Sequence, residues 1–180
     1  MIDRVFSLRP AIASDVIVIA RLVEVYARDG EILPRPEGAI RESIMNWIVV
    51  TDGVRIVACG SLLPYTSKLA EIRSLVVDDS VKRKGLGTMV VRALITMARQ
   101  NGFESLFALT RIVPFFEQLG FTRIDKATFP QKIWRDCCQC PIQKNCDEQA
   151  VALQLSKLNS IPCQPAFQIQ GDRYESIQNK

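Results

Sequence analysis

Leu75-Val76-Val77-Asp78-Asp79-Ser80-Val81-Lys82-Arg83-Lys84-Gly85-Leu86-Gly87-Thr88 is the stretch on which the fold turns. An apolar strand runs into a basic turn bearing two glycines, and the turn runs directly into a helix. The first N–H groups of that helix lack intrahelical partners, and the helix dipole adds positive potential, so the unit favours an anion. Gly85 and Gly87 allow close backbone approach, and Lys82, Arg83 and Lys84 add charge. A nucleotide triphosphate loop does not fit, because Gly-x-x-x-x-Gly-Lys-Ser/Thr is absent; a dinucleotide fingerprint lacks its third glycine. A glycine turn with a solvated basic face remains the plainer alternative.

Working outward, Leu86, Met89, Val90, Ala93, Leu94, Met97 and Ala98 make one apolar stripe, which predicts a helix from Gly85 to Asn101. Ala70–Val77 reads as the strand before it. Upstream, Ile48–Thr51 and Arg55–Leu63 read as strands joined by an Asp52-Gly53 hairpin turn. Val5–Arg9 reads as a first strand, followed by a helix capped at Ser14 or Asp15 and stopped at Asp29-Gly30. A second helix is predicted from Glu37 to about Trp47. Downstream, Ser105–Leu109 is a buried strand, Pro114–Leu119 a short helix, Phe121–Ile124 and Ala150–Leu155 further strands. After Ser156 the chain turns polar and carries Pro162 and Pro165, so residues 156–180 are expected to be a poorly ordered tail. A hairpin first and strand–helix crossovers later give a mixed α/β sheet.

The 180 residues suit one compact domain, and 48% hydrophobic with 23% charged residues is ordinary globular usage. No apolar run approaches the roughly 20 residues of a membrane-spanning helix. Met1-Ile2-Asp3-Arg4-Val5 shows no secretory pattern, so a cytoplasmic location is expected. The absence of histidine excludes a His-dependent triad and a His-ligated metal. A net charge of +4 fits an anionic ligand, but no dense Lys/Arg patch with interleaved aromatics appears. Neither nucleic acid nor membrane is expected as a partner, and a homodimer stays open. Cys137, Cys140 and Cys146 are spaced so that three thiolates could converge on zinc, with Cys138, Asp147 or Cys163 as a fourth ligand. Reduced, partly buried thiols are the alternative.

Strand–Lys82-x-x-Gly85-x-Gly87–helix resembles the pyrophosphate loop of the GNAT acyltransferases, and Phe115-Phe116-Glu117-Gln118-Leu119-Gly120-Phe121 is similar to their second signature. Lys82 replaces the usual Arg or Gln that opens the loop. Ile32-Leu33-Pro34-Arg35, Ala70-Glu71-Ile72-Arg73-Ser74-Leu75, Ala108-Leu109-Thr110-Arg111, Trp134-Arg135-Asp136-Cys137, Cys140-Pro141 and Cys146-Asp147-Glu148 narrow the resemblance to the short bacterial N-acetylglutamate synthases. These make N-acetyl-L-glutamate, the first step of arginine biosynthesis.

The resemblance implies a GNAT fold over residues 1–155, with a mostly antiparallel sheet, a splayed strand pair, flanking helices and a Cys-rich insertion at about 134–148. It implies acetyl-CoA as cosubstrate, with Leu75, Val76 and Val77 along the pantetheine arm and Lys82, Arg83, Lys84, Gly85, Leu86, Gly87 and Thr88 around the pyrophosphate. Glu71 becomes the base that takes a proton from the acceptor amine, although pairing with Arg73, two residues on, would be a merely structural use of it. Arg35, Arg73, Ser74 and Arg111 become the residues for the glutamate carboxylates. Phe116 stands where many GNAT enzymes place a tyrosine acid, which leaves the proton donor unassigned. Another small amine or a protein lysine as acceptor, or a non-catalytic acyl-CoA-binding regulator, are the alternatives. Longer synthases carry an arginine-binding domain for which 180 residues leave no room.

Overall fold

A computed structural model describes residues 5–130, 132, 136–140, 145–155 and 168–169. Apolar residues alternate or run together along the strands β1 (Phe6–Pro10), β2 (Trp47–Thr51), β3 (Ile56–Pro64) and β4 (Leu69–Val77). Later come β5 (Ser105–Thr110), β6 (Thr122–Ile124), β7 (Gln149–Gln154) and β8 (Gln168–Ile169). The helices are α1 (Val16–Arg28), α2 (Glu37–Glu42), α3 (Leu86–Gln100) and α4 (Val113–Glu117). Hydrogen-bonded strand order is β6-β7-β5-β4-β3-β2-β1-β8. β1–β2, β1–β8, β5–β7 and β6–β7 are antiparallel, whereas β4–β5 is parallel. This is the mixed, mostly antiparallel sheet expected.

The chain divides into two compact units: residues up to Cys59 with Val76–Val90 and the C-terminal segment, and Gly60–Leu75 with Val91 onward. In the first, Val16, Ile19, Val23 and Tyr26 of α1 are buried in a core with Ile40, Trp47, Val49, Cys59 and Val76. Complete burial of Cys59 pushes its thiol up to about 12, so it behaves there as a small apolar side chain. In the second, Phe107, Phe129 and Ala150 are packed against Tyr65, Leu69, Leu109 and Ala152.

Two local expectations need correction. The Asp15 side chain does not cap α1; Asp15 Oδ2 accepts from Ile12 N–H at 2.8 Å, and its two oxygens take Arg9 Nη1 and Nη2 at 2.6 and 2.9 Å. A neighbouring guanidinium outcompetes the helix N–H groups for the same carboxylate. α2 ends at Glu42 rather than near Trp47, because Trp47 is 1% exposed and spends its burial as the first residue of β2. Of the predicted tail, the two described residues form β8, with Phe6 opposite Ile169 and Ser7 opposite Gln168.

Candidate active site

The Leu75–Thr88 unit is built as a strand, a braced turn and a helix. Asp78 N–H bonds the Val57 carbonyl at 2.8 Å, ending β4 against β3. The Asp78 carboxylate accepts from Ser80 N–H at 3.0 Å and from Arg55 Nη1 at 2.8 Å. Those bonds to Ser80, and then Arg55, hold it below the usual carboxylate range. Tyr26 reaches the turn from α1: its hydroxyl donates to Val77 O at 2.9 Å and lies 3.0 Å from Asp79 Oδ1. Burial, then the Asp79 contact, pushes that phenol up to about 12. Lys82 Nζ pairs with Asp79 at 2.6 Å and sits 5.2 Å from the Tyr26 ring centre.

Lys82, Arg83, Lys84 and Gly85 are exposed, whereas the Leu86 side chain is buried in the core. Arg83 at φ 63° and Gly85 at φ 77° turn the backbone into α3. The first intrahelical bond is Met89 N–H to Gly85 O at 3.0 Å, so the N–H groups of Leu86, Gly87 and Thr88 precede it at the positive end of the dipole. Any contribution of Leu86 to an anion there would come from its backbone rather than its side chain.

β4 and β5 pair in parallel over only Leu69–Ser105, Ala70–Leu106 and Glu71–Phe107 among the described residues, although both strands run on. Three residues past the last pair, Ser74 sits at φ 53°, a conformation that breaks the regular pleat of β4. The splayed pair is therefore real, and its apex is Glu71.

Glu71 is 2% exposed. Its partner is not Arg73, as strand spacing allowed, but Lys132, with Nζ 2.8 Å from Oε1. Tyr65 Oη donates to Oε2 at 3.1 Å. Lys132 also holds Asp136 Oδ2 at 2.6 Å. The surrounding wall is aromatic: Phe107 lies opposite Glu71 in the ladder, 5.3 Å from the Tyr65 ring and stacked at 4.1 Å on Phe129.

The chain is similar to known proteins. Residues 19–121 match the family model described as Acetyltransferase (GNAT) family. The chain belongs to the GNAT acetyltransferase family. An uncharacterized N-acetyltransferase of Chlorobaculum tepidum is 38% identical over 147 residues, 82% of this chain and 95% of that protein. An amino-acid acetyltransferase of Mycobacterium tuberculosis is 31% identical over 135 residues, covering 73% and 76% respectively. A Mycobacterium tuberculosis protein solved in complex with CoA and NLQ superposes with a TM-score of 0.72 at 28% identity, over 83% of this chain and 99% of that one.

The remaining expected residues of this acetyltransferase fall as follows. Arg35 is half-buried before α2 and donates to the Pro34 carbonyl at 3.2 Å. It belongs to the first unit, and Glu71, Arg73, Ser74 and Arg111 belong to the second. Arg73 is half-buried and Ser74 buried on β4. Leu75 and Val77 are half-buried and Val76 buried, consistent with side chains that pack while their backbone stays usable. Arg111 Nε bonds Asp147 Oδ1 at 2.6 Å; that bond raises the guanidinium above its ordinary value. Phe116 is 3% exposed and meets Phe115 and Phe121 edge-on, so it is a packing residue.

Zinc finds no support. Among the described residues, no group of three His, Cys, Asp or Glu is placed to hold a metal ion. Asp147 serves Arg111, and Cys146 sits between Lys126 Nζ at 3.5 Å and Glu148 Oε2 at 3.9 Å. Burial raises the Cys137 thiol, with Lys132 acting against that. Cys163, Trp134 and Arg135 lie outside the described residues. No described helix is long and apolar enough to cross a membrane.

Sequence reasoning missed Lys132, Tyr65 and Tyr26. Lys132 and Asp136 stand four apart, a helical ion-pair spacing that was legible. Nothing in that spacing points to Glu71.

Proposed function

We propose that this acetyltransferase moves the acetyl group of acetyl-CoA to the α-amine of L-glutamate. The observation that carries the reading is a buried carboxylate, Glu71, at the point where β4 parts from β5, on the strand that leads into the basic glycine turn. The N–H groups of Leu86, Gly87 and Thr88, with Arg83 and Lys84, suit the pyrophosphate of the donor. Lys82 would contribute only by sharing its charge with Asp79. Leu75 to Val77 offer backbone to the pantetheine arm, and a β4 N–H would stabilise the thioester oxygen as it gains charge.

Glu71 takes a proton from the acceptor ammonium, directly or through a water, and the neutral amine attacks the thioester carbon. A C–N bond forms, the nitrogen gives its surplus proton to solvent, the C–S bond breaks, and coenzyme A leaves as thiolate. Phe116 has no proton to give, so the thiolate is protonated from solvent.

For the acceptor, Arg35 and Arg73 are the first candidates for its two carboxylates, with Ser74 beside them. Arg111 would have to exchange Asp147 for substrate. An arginine that the bound acceptor desolvates and leaves facing no carboxylate costs about 2–5 kcal/mol, so a simple amine should fall behind glutamate by about two orders of magnitude or more in kcat/KM. The amino-acid acetyltransferase relative supports this acceptor class. A coenzyme A release assay over glutamate, glutamine, other amino acids, simple amines and a lysine peptide tests it. Glutamate should lead, with glutamine weaker. Preference for a cationic amine or peptide lysine overturns the glutamate reading, and no release with any amine points to an acyl-CoA-binding regulator.

A further inference from the structure

Lys132 belongs to none of the motifs that identify the family, yet it is only 5% exposed. An ammonium so deeply buried has to be paired, and this one carries two carboxylates, Glu71 at 2.8 Å and Asp136 at 2.6 Å. The backbone ties the two together, with Asp136 N–H bonded to the Lys132 carbonyl at 3.1 Å. As a stabilising device the arrangement is poor, since apolar residues of similar volume usually do as well as a buried ion pair. Placed against a carboxylate with work to do, it has a clear use.

We propose that Lys132 is a positioning residue for acetyl transfer: its ammonium fixes the Glu71 carboxylate for the acceptor amine, and Asp136 is the second carboxylate that keeps that ammonium in place. The inference rests on Glu71 as the base. The Phe107, Phe129 and Tyr65 rings keep water from screening the attraction between the two charges. Tyr65, from the β3–β4 connection, donates to the other oxygen of Glu71, and Asp136 and Cys137 lie beyond Lys132. Burial pulls the Lys132 pKa down, but the Glu71 charge and the Asp136 hydrogen bond outweigh it and hold the ammonium above its ordinary value. Asp136 has a second part in the cycle. When Glu71 accepts the amine proton and becomes neutral, Lys132 keeps one counterion and is never left as a lone buried charge.

The experiment is steady-state kinetics of the full chain with acetyl-CoA and L-glutamate, beside the melting temperature. Lys132→Met should lower kcat by about tenfold or more with the acetyl-CoA KM near the parent's, and Lys132→Arg should restore most of the rate. Asp136→Asn, which leaves the ammonium on Glu71, should cost far less. In the Glu71→Gln background, Lys132→Met should cost little further rate, because the carboxylate it positions is already gone; a packing role would lose the same factor in both backgrounds. A Lys132→Met kcat equal to the parent's, or an equal loss in both backgrounds, overturns the proposal; if Lys132→Met does not fold, Lys132→Gln takes its place in the same cycle. An unchanged kcat in Glu71→Gln removes Glu71 as the base, and with it the catalytic part played by Lys132. A large loss in Glu71→Gln with none in Lys132→Met leaves the base standing and removes only Lys132 from the mechanism.

Discussion

At the scale of single residues, the proposed base Glu71 is defined by its surroundings. Its carboxylate is buried, with Tyr65 and Lys132 as partners and Phe107 opposite it in the ladder. Replacing it with glutamine keeps the shape and the Tyr65 bond but removes the acceptor of the amine proton. Glu71→Gln should lower kcat by about 10²–10⁴-fold while the acetyl-CoA Kd measured by calorimetry stays near the parent value. The deficit should narrow at alkaline pH, where more of the acceptor amine is already neutral. A rate and pH profile equal to the parent's would take Glu71 out of the reaction. Lys132 itself was invisible to motif reading, because its importance lies in a contact between residues far apart in the chain.

At the scale of elements, the turn before α3 is the most worked part of the chain. Asp78, Ser80 and Arg55 close one side of it, Tyr26 and Asp79 the other, and Lys82 is spent in bracing rather than held ready in solvent. The side chains fix the turn so that the backbone N–H groups at the start of α3 point at one place. Gly87 lies among those groups and is half-buried. A branched side chain there would crowd the pyrophosphate, so Gly87→Val should raise the acetyl-CoA Kd by at least tenfold while the melting temperature changes little. Unchanged calorimetric affinity in a folded variant would mean that the donor's phosphates bind elsewhere. β4 contributes the other half of the design. Its pairing with β5 stops at Glu71 and its pleat breaks at Ser74, so one strand both packs the core and presents backbone to a ligand.

At the scale of the whole molecule, charge placement predicts how the fold meets acid. Asp15 is held below the ordinary 3.8 by its hydrogen bond to Arg9, against the opposing effect of burial. A carboxylate depressed in the folded state contributes stability that is fully present above its unfolded value and is lost as pH falls through the folded one. Asp78 has the same sign. Asp15→Asn should therefore lower stability at pH 7 by about 1–3 kcal/mol, the range for hydrogen bonds to a charged group. The gap between variant and parent should shrink below about pH 4, as the parent's own carboxylate protonates. Chemical denaturation at pH 7 and pH 3 checks this, and a gap independent of pH would show that the Arg9–Asp15 pair is not what the substitution removed.

Much of this was written in local pattern. The apolar stripe of α3, the run of branched residues in β4 and the glycine-bearing turn between them are short-range features. Short-range features survive in a sequence because helix and strand periodicity are set within a few residues. The proposed phosphate loop rests on those features alone, since it would be made of backbone at a helix start. Tertiary structure decided what long-range competition settles. Asp15 turned to Arg9 instead of capping α1, because a bidentate guanidinium outbids a backbone N–H. Trp47 left the predicted helix, because its large apolar surface is worth more inside the core as part of β2. Glu71 meets Lys132, an ammonium that packing brings from a distant segment to a buried carboxylate. Spacing along a strand says which side chains share a face; only packing says which charge arrives to meet them.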